Sequence, residues 1–310
     1  MSDAKKTGSG ASHDVVVIGA GVAGLSVASE AARLGLTTAL FDDGLLGGLV
    51  TNIGALEGPP DHEGEAGADF VTTLLGDALE TGVDYQMGEI TNLSTEDGVW
   101  RLSDDSVTAR TVVLATGAAF RTLDVPGEER LMGRGVSQCA FCDGGLYRGK
   151  DVAVIGGGDS AFQEAQHLAE LCANVTIVLR SDAPRARPGF ISELSKHDNV
   201  RIRPNLLVRE IMGGDGVEAV RLFDPANEQE EILSLEAVFP FIGLAPRTSL
   251  APDSAARDDA GALIVERDLQ TRQLGLYAVG AARAGYGGAI AHILEDARTV
   301  AQAIKNEVTA

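Results

Sequence analysis

The sequence predicts an α/β protein of two Rossmann-like dinucleotide-binding domains, each of three-layer ββα/βα type, with the second inserted into a discontinuous first. Three observations predict it. A β-branched apolar run, a glycine turn and a helical pattern follow one another at residues 14–35 and again at 151–172. The two glycine turns lie about 137 residues apart in a chain of 310, the spacing of two separate units in an internal duplication at low sequence similarity. Each unit then closes on a similar strand, "TVVLATGAAFRT" at 111–122 and "AVFPFIGLAPRT" at 237–248.

Each element follows in order. "DVVVIG" is the first strand, "AGVAG" the turn and "LSVASEAARLG" the helix, with apolar residues at helical spacing. "TTALFDD" is a second strand ending in acid. The Gly/Pro-rich stretch 44–67 is too irregular for an element of its own, and a helix runs through "ADFVTTLLGDALETG". Over 85–110 the alternation predicts antiparallel strands, in "EITNLST" and "VWRLSD". After the second strand, turn and helix, "NVTIVLRS" is again the next strand. The last stretch, 275–308, reads as a strand, a glycine-rich loop and a long helix that returns to the first domain. The expected domains are therefore 14–118 with 246–310, and 119–245, joined by hinges near 118–121 and 244–247; residues 1–13 form a flexible tail.

Composition excludes several classes. Asp and Glu number 45 against 25 Lys and Arg, so the net charge is −20, and a chain this acidic is unsuited to a phosphate backbone or an anionic membrane. The N-terminal stretch has no apolar core of a signal peptide, and no apolar run reaches eighteen residues. The expected location is cytoplasmic, where a close cysteine pair is more often redox-active or metal-binding than a staple.

Two phosphate cradles stand out. Gly19-Ala20-Gly21-Val22-Ala23-Gly24 fits G-x-G-x-x-G: the first glycine for the tight turn, the second for approach of a pyrophosphate, the third for helix packing. Asp42, at the end of the next strand, is placed to accept from a ribose hydroxyl. In the second unit Gly156-Gly157-Gly158-Asp159-Ser160-Ala161 carries the permitted alanine at the third position. Its following strand ends in cations, Arg180, Arg185 and Arg187, which suit a 2′-phosphate; a solvated basic loop is the alternative.

"SQCAFCDGG" at 137–145 holds Cys139 and Cys142. Structural zinc wants four ligands, and neither Cys172 nor any of the five histidines makes a second pair at ligand spacing. A staple between residues three apart closes so small a loop that it stabilises by only ~2 kcal/mol. A redox couple needs this proximity, because one thiolate attacks a partner disulfide and the other resolves the mixed disulfide. Asp143 adds a proton acceptor and donor beside them, or is simply a turn residue before Gly144 and Gly145. Cys172, in an apolar helical stretch, reads as an inert core thiol.

Together these residues resemble the low-molecular-weight thioredoxin reductase family over nearly the whole chain, most specifically in "GRGVSQCAFCDGGLYRGKDVAVIGGGDSA", with "VVVIGAGVAG", "LGGL", "VVLATGA" and "FIGLAP" in support. The resemblance implies a homodimeric flavoprotein with FAD in the discontinuous domain and NADPH and the cysteine pair in the inserted one. It puts Gly19, Gly21, Ala23, Gly24, Asp42, Gly47, Gly48, Thr116, Gly117, Gly280, Gly288 and Ala289 at FAD, and Gly156, Gly158, Asp159, Ser160, Arg180 and Arg185 at NADPH. Cys139 would exchange with the substrate disulfide, Cys142 would face the flavin and Asp143 would handle the proton. The inserted domain would rotate about the hinges.

The departures from the family pattern cluster at the cofactors. The usual His-Arg-Arg is Leu179-Arg180-Ser181, with Arg185 kept, which leaves NADPH, NADH or no pyridine nucleotide open as donor. An aspartate is replaced by Ala281, Arg-Gln-Ala by Gly287-Gly288-Ala289, a glutamine by Leu49 and an asparagine by Gly58, and "HILED" stands where small residues are usual. The leading expectation is electron flow from a reduced donor through FAD to the cysteines and on to a thioredoxin-like protein or small disulfide. The alternatives are a dithiol oxidase using oxygen, a reductase fed by NADH or ferredoxin, and a non-enzymatic redox-responsive binding protein.

Overall fold

The computed structural model describes residues 12–44, 46–56, 61–103 and 106–309. The chain forms two compact units, one taking the chain up to Ala119 and from Ala245 onward, the other Phe120–Leu244.

The first unit begins β1 (His13–Ile18), α1 (Val22–Arg33), β2 (Thr38–Asp42), α2 (Gly67–Glu80), β3 (Asp84–Met87), β4 (Leu93–Glu96), β5 (Val99–Leu102) and β6 (Val107–Leu114), and β7 (Ala118–Phe120) lies where the chain leaves it. The second holds α3 (Glu128–Leu131), α4 (Ala140–Asp143), β8 (Asp151–Ile155), α5 (Asp159–Leu171), β9 (Asn174–Val178), α6 (Pro188–Leu194), β10 (Val200–Arg203), β11 (Leu207–Met212), β12 (Ala219–Asp224), β13 (Gln229–Ser234) and β14 (Ala237–Pro240). The chain then returns to the first unit through β15 (Leu244–Pro246), β16 (Leu276–Ala278) and α7 (Ile290–Thr309).

In the first unit the sheet order is β3-β2-β1-β6-β5-β4, with β16 on β6. β6 changes partner along its length: Val107–Ala109 pair antiparallel with β5, and Val112–Leu114 pair parallel with β16. Both faces of β1 are buried, which is why it reads as an unbroken Val/Ile run. Val15 and Val17 pack under α1 and α7 residues such as Leu25, Val27 and Val300; Val16 and Ile18 pack toward Trp100, Leu102 and Leu263. The second unit repeats this plan with the parallel order β10-β9-β8-β14 and a three-stranded antiparallel sheet β11-β12-β13. Val152 and Val154 face Phe162, Ala165 and Leu168 of α5, while Ala153 and Ile155 face Val220 and Leu222 of β12.

Three expectations are corrected. His13, placed with the tail, opens β1 and pairs with Ala109, because the β6 edge offers it a ladder; residues 1–11 lie outside the described residues. The antiparallel pattern begins only at β4, since Asp84–Met87 instead extends the parallel sheet beside β2. The loop judged irregular carries one short 3₁₀ turn, Gly48–Asn52. At the crossings, Arg247 N–H donates to the Gly117 carbonyl at 3.0 Å within the first unit, and Arg121 N–H to Gly243 at 2.9 Å within the second.

Candidate active site: two glycine cradles and a disulfide turn

The first cradle is built by close backbone approach. A Cβ on Gly24 would sit 1.7 Å from the Gly19 carbonyl oxygen, and one on Gly19 (φ +103) 2.5 Å from that of Ala115. Helix α1 can therefore start tight against β1 and β6 only with glycine at both positions. Gly21 is different: its nearest neighbour would be Gly47 O at 3.7 Å, so the turn presents bare backbone there. Asp42 accepts the Ala20 N–H on one carboxylate oxygen and the Gly44 N–H, at 2.7 Å, on the other. It ties the end of β2 to the glycine turn.

The other residues expected here gather around that turn. Gly47 donates its N–H to Ala20 O at 2.9 Å and bridges Gly21; its φ of +93, and a Cβ that would lie 2.6 Å from Val71 Cγ1, demand glycine. Gly48 follows in the same left-handed region, at φ +59. Thr116 is brought beside Gly19, and its hydroxyl donates to the Arg247 carbonyl, with Gly117 next to it at φ +66. Gly280, two residues beyond β16, approaches Ala23: a Cβ on it would lie 3.1 Å from that of the alanine. Gly288 and Ala289 lie just ahead of α7, and a Cβ on Gly288 would meet nothing within 4 Å. Leu49 lies in the 3₁₀ turn, Gly287 lies against the His292 ring, and Gly58 falls outside the described residues.

One carboxylate was not anticipated. Where Ala281 lacks an acid, Asp296 of α7 reaches back: its Oδ2 accepts the Gly280 N–H at 3.3 Å and Arg283 Nε at 2.7 Å, and its Oδ1 accepts Arg283 Nη2 at 2.8 Å. Both side chains are nearly buried, a bidentate pair with its backbone donor satisfied. Burial and this carboxylate push the Tyr286 phenol up to about 12. The "HILED" departure was the only signal of it in the sequence, and it pointed to position 296 without its partner.

The second cradle repeats the first. A Cβ on Gly156 (φ +140) would lie 2.1 Å from Phe241 O, whereas one on Gly158 would meet nothing within 4 Å. The loop after β9 is fastened to this turn by Arg185 and Ala186, whose N–H groups donate to Gly157 O at 2.7 and 3.0 Å. That holds the exposed Arg180 and Arg185 side chains on the loop beside the cradle, with Ser160 exposed at the start of α5. Asp159 accepts from Arg187 N–H at 2.7 Å and Nε at 2.6 Å, so Arg187 clamps the loop. Ser181, where the family pattern has a second arginine, donates its hydroxyl to Ala183 O at 2.8 Å.

The disulfide turn comes just ahead of β8. Cys139 and Cys142 are bonded, with Cα atoms 5.3 Å apart. Cys139 is 8 % exposed and its Sγ accepts the Cys142 N–H at 3.0 Å, while Cys142 itself is exposed. Ser137, buried, fixes the entry: its Oγ accepts the Cys139 N–H at 3.1 Å. Asp143 is half-buried and ends α4. Gly144 follows because a Cβ there would lie 3.0 Å from Leu168 Cδ2 of α5. Glu164 of α5 accepts the Ala140 N–H at 3.0 Å, a contact no motif announces. Cys172 sits apart, buried just beyond α5, and burial pushes its thiol up to about 11, leaving it un-ionised at neutral pH. No cluster of metal-ligating side chains is found among the described residues.

Comparisons with known proteins identify the family. Residues 13–305 match the model of the pyridine nucleotide-disulphide oxidoreductase family. A thioredoxin reductase of Treponema pallidum is 35% identical over 275 residues, covering 88% of this chain and 89% of the relative. The crystal structure of Lactococcus lactis thioredoxin reductase superposes with a TM-score of 0.91 at 30% identity, covering 96% of this chain and 99% of that one. That of T. acidophilum thioredoxin reductase gives 0.89 at 29% identity, again covering 96% and 99%. The chain belongs to the pyridine nucleotide-disulphide oxidoreductase family, in its low-molecular-weight thioredoxin reductase branch.

Proposed function

We propose that the protein is an FAD-dependent disulfide reductase that takes electrons from NADPH and passes them through Cys139 and Cys142 to a thioredoxin-like protein, acting as a cytoplasmic homodimer. The observation that carries this reading is the placement of a bonded, asymmetrically exposed cysteine pair immediately ahead of the second of two glycine cradles. Among the described residues no helix is long and apolar enough to cross a membrane.

The first cradle suits FAD. Gly21 lets a pyrophosphate reach backbone N–H groups, Asp42 keeps a lone pair on each oxygen for ribose hydroxyls, and Thr116, Gly117, Gly47, Gly48 and Gly280 line the same turn. Gly288 and Ala289 would add amides ahead of α7. Bound there, FAD supplies a two-electron carrier between a dihydronicotinamide and a disulfide. The second cradle suits the pyridine nucleotide, with Gly158 at the pyrophosphate, Asp159 and Ser160 at the helix start, and Arg180 and Arg185 for a 2′-phosphate.

The residues of the turn do the exchange. The Cys139 thiolate attacks one sulfur of the partner disulfide, and the displaced sulfur leaves as a thiolate and takes a proton. Cys142 then attacks Cys139 Sγ, re-forming the internal disulfide and releasing the partner as a dithiol. Asp143 takes the proton from the attacking thiol and returns it to the leaving one.

One observation favours NADH as a second donor: Ser181 is turned into its own loop and offers no cation. An anaerobic titration of the purified protein separates the readings. NADPH is expected to bleach the flavin band at a concentration at least tenfold lower than NADH. Equal potency assigns the donor to NADH chemistry. Bleaching by dithionite but by neither nucleotide overturns the nucleotide-driven reductase; bleaching by a dithiol, with oxygen consumed on readmission of air, assigns the dithiol oxidase.

A further inference from the structure

The cysteine turn rests on α5, and its contact with Glu164 enters none of the exchange chemistry above. Glu164 is half-buried beneath the turn, and its carboxylate accepts the Ala140 N–H at 3.0 Å. Farther along the same face His167 sets its ring against Phe141, centroids 5.4 Å apart, and Leu168 closes on Gly144. The other ionisable groups around the turn are Asp143, Tyr147, whose phenol is raised by burial and by Asp143, and Arg148, which acts on Cys172. Burial pushes the Glu164 carboxyl above the usual range, and the nearby Ala140 and Phe141 N–H groups pull it partly back.

We propose that Glu164 is a positioning residue that makes the cysteine pair a stronger reductant: it occupies the Ala140 N–H between the cysteines and sets a negative charge one peptide unit from Cys139. The inference rests on the pair being redox-active, not on the identity of the donor. Reducing the S–S bond takes two electrons and two protons, or one proton where one sulfur stays a thiolate; oxidation by a partner disulfide returns them. Cys139 is buried, so a thiolate formed there is poorly screened from the Glu164 carboxylate. Free N–H groups beside a cysteine lower its thiol pKa and stabilise the reduced form, which makes a couple oxidising. Glu164 withdraws one such donor and adds like charge. Both effects disfavour the thiolate, favour the disulfide and raise the intrinsic nucleophilicity of Cys139.

The test equilibrates the full-length, flavin-loaded protein in glutathione redox buffers and traps the thiols with iodoacetamide. Glu164→Gln, whose amide oxygen still accepts from Ala140, is expected to shift the equilibrium toward the dithiol by about tenfold, equal to about 30 mV for a two-electron couple. Alkylation of Cys139 should move to lower pH in the same variant. Glu164→Ala, which frees the Ala140 N–H, is expected to shift in the same direction. Glu164→Asp keeps the charge and should stay within about threefold of wild type. An equilibrium unchanged within about twofold in both E164Q and E164A, or an E164D shift as large as that of E164Q, overturns the proposal. No readout uses a pyridine nucleotide, so a protein that ignores NADPH yet shows these shifts would sink the proposed donor and leave the role of Glu164 standing.

Discussion

At the scale of single residues, the two cysteines are not equivalent although the motif treats them alike. Cys142 is exposed, whereas Cys139 is nearly buried, enclosed by Ser137 and the turn that Glu164 holds. Exchange at Cys139 therefore requires its sulfur to be uncovered when the disulfide opens. Cys142→Ser is expected to trap a disulfide substrate as a stable mixed disulfide on Cys139, with at least tenfold more adduct than Cys139→Ser, read by mass under non-reducing conditions. More adduct in the Cys139 variant would reverse the assignment of the two sulfurs. The pair, its adjacent acid and the inert Cys172 were all legible in the sequence, because spacing and flanking residues carry that chemistry locally. Glu164 and the Arg283–Asp296 pair were not, because their partners lie 24 and 13 residues away and meet only once the helices pack.

At the scale of elements, the two strand-turn-helix units show why a glycine fingerprint holds residues of different duties. Gly24 is a packing requirement, since its Cβ would lie 1.7 Å from a carbonyl oxygen; Gly158 is a clearance requirement, since its Cβ would meet nothing. Gly24→Ala is expected to destabilise by at least ~3 kcal/mol in chemical denaturation and to be recovered without flavin. Gly158→Ala, at an ordinary negative φ of −93, should fold with unchanged or slightly higher stability, hold its flavin, and lose about tenfold or more in pyridine nucleotide affinity. Unimpaired nucleotide binding in G158A would remove that turn from the proposed site. Helix and strand identities in these units were legible because buried parallel strands read as unbroken β-branched runs. The parallel edge strand β3 was not: "DYQM" is short and has one partner, so its place is chosen by β2 and not by its own pattern.

At the scale of the whole molecule, charge dominates. A net −20 on 310 residues makes the compact state repel itself, and the repulsion is screened once the Debye length falls from ~10 Å at 0.1 M to ~3 Å at 1 M salt. The thermal midpoint is expected to rise between 0.1 and 1 M potassium chloride, by roughly 2–4 °C for each kcal/mol recovered, as followed by circular dichroism. A midpoint that falls would show that ion pairs such as Arg283–Asp296 outweigh the net repulsion.

The sequence by itself determined the two-cradle α/β plan, the cysteine pair and the basic loop after the second cradle, because each is written in residues adjacent along the chain. Only the tertiary structure decided which sulfur is buried, which carboxylate lies under the cysteine turn, and that Asp296 reaches the Gly280 amide beside the alanine at 281. The physical reason is range. Turn geometry and strand burial act over a few residues, whereas a carboxylate finds its N–H or guanidinium partner only after two elements distant in sequence have been packed within hydrogen-bond reach.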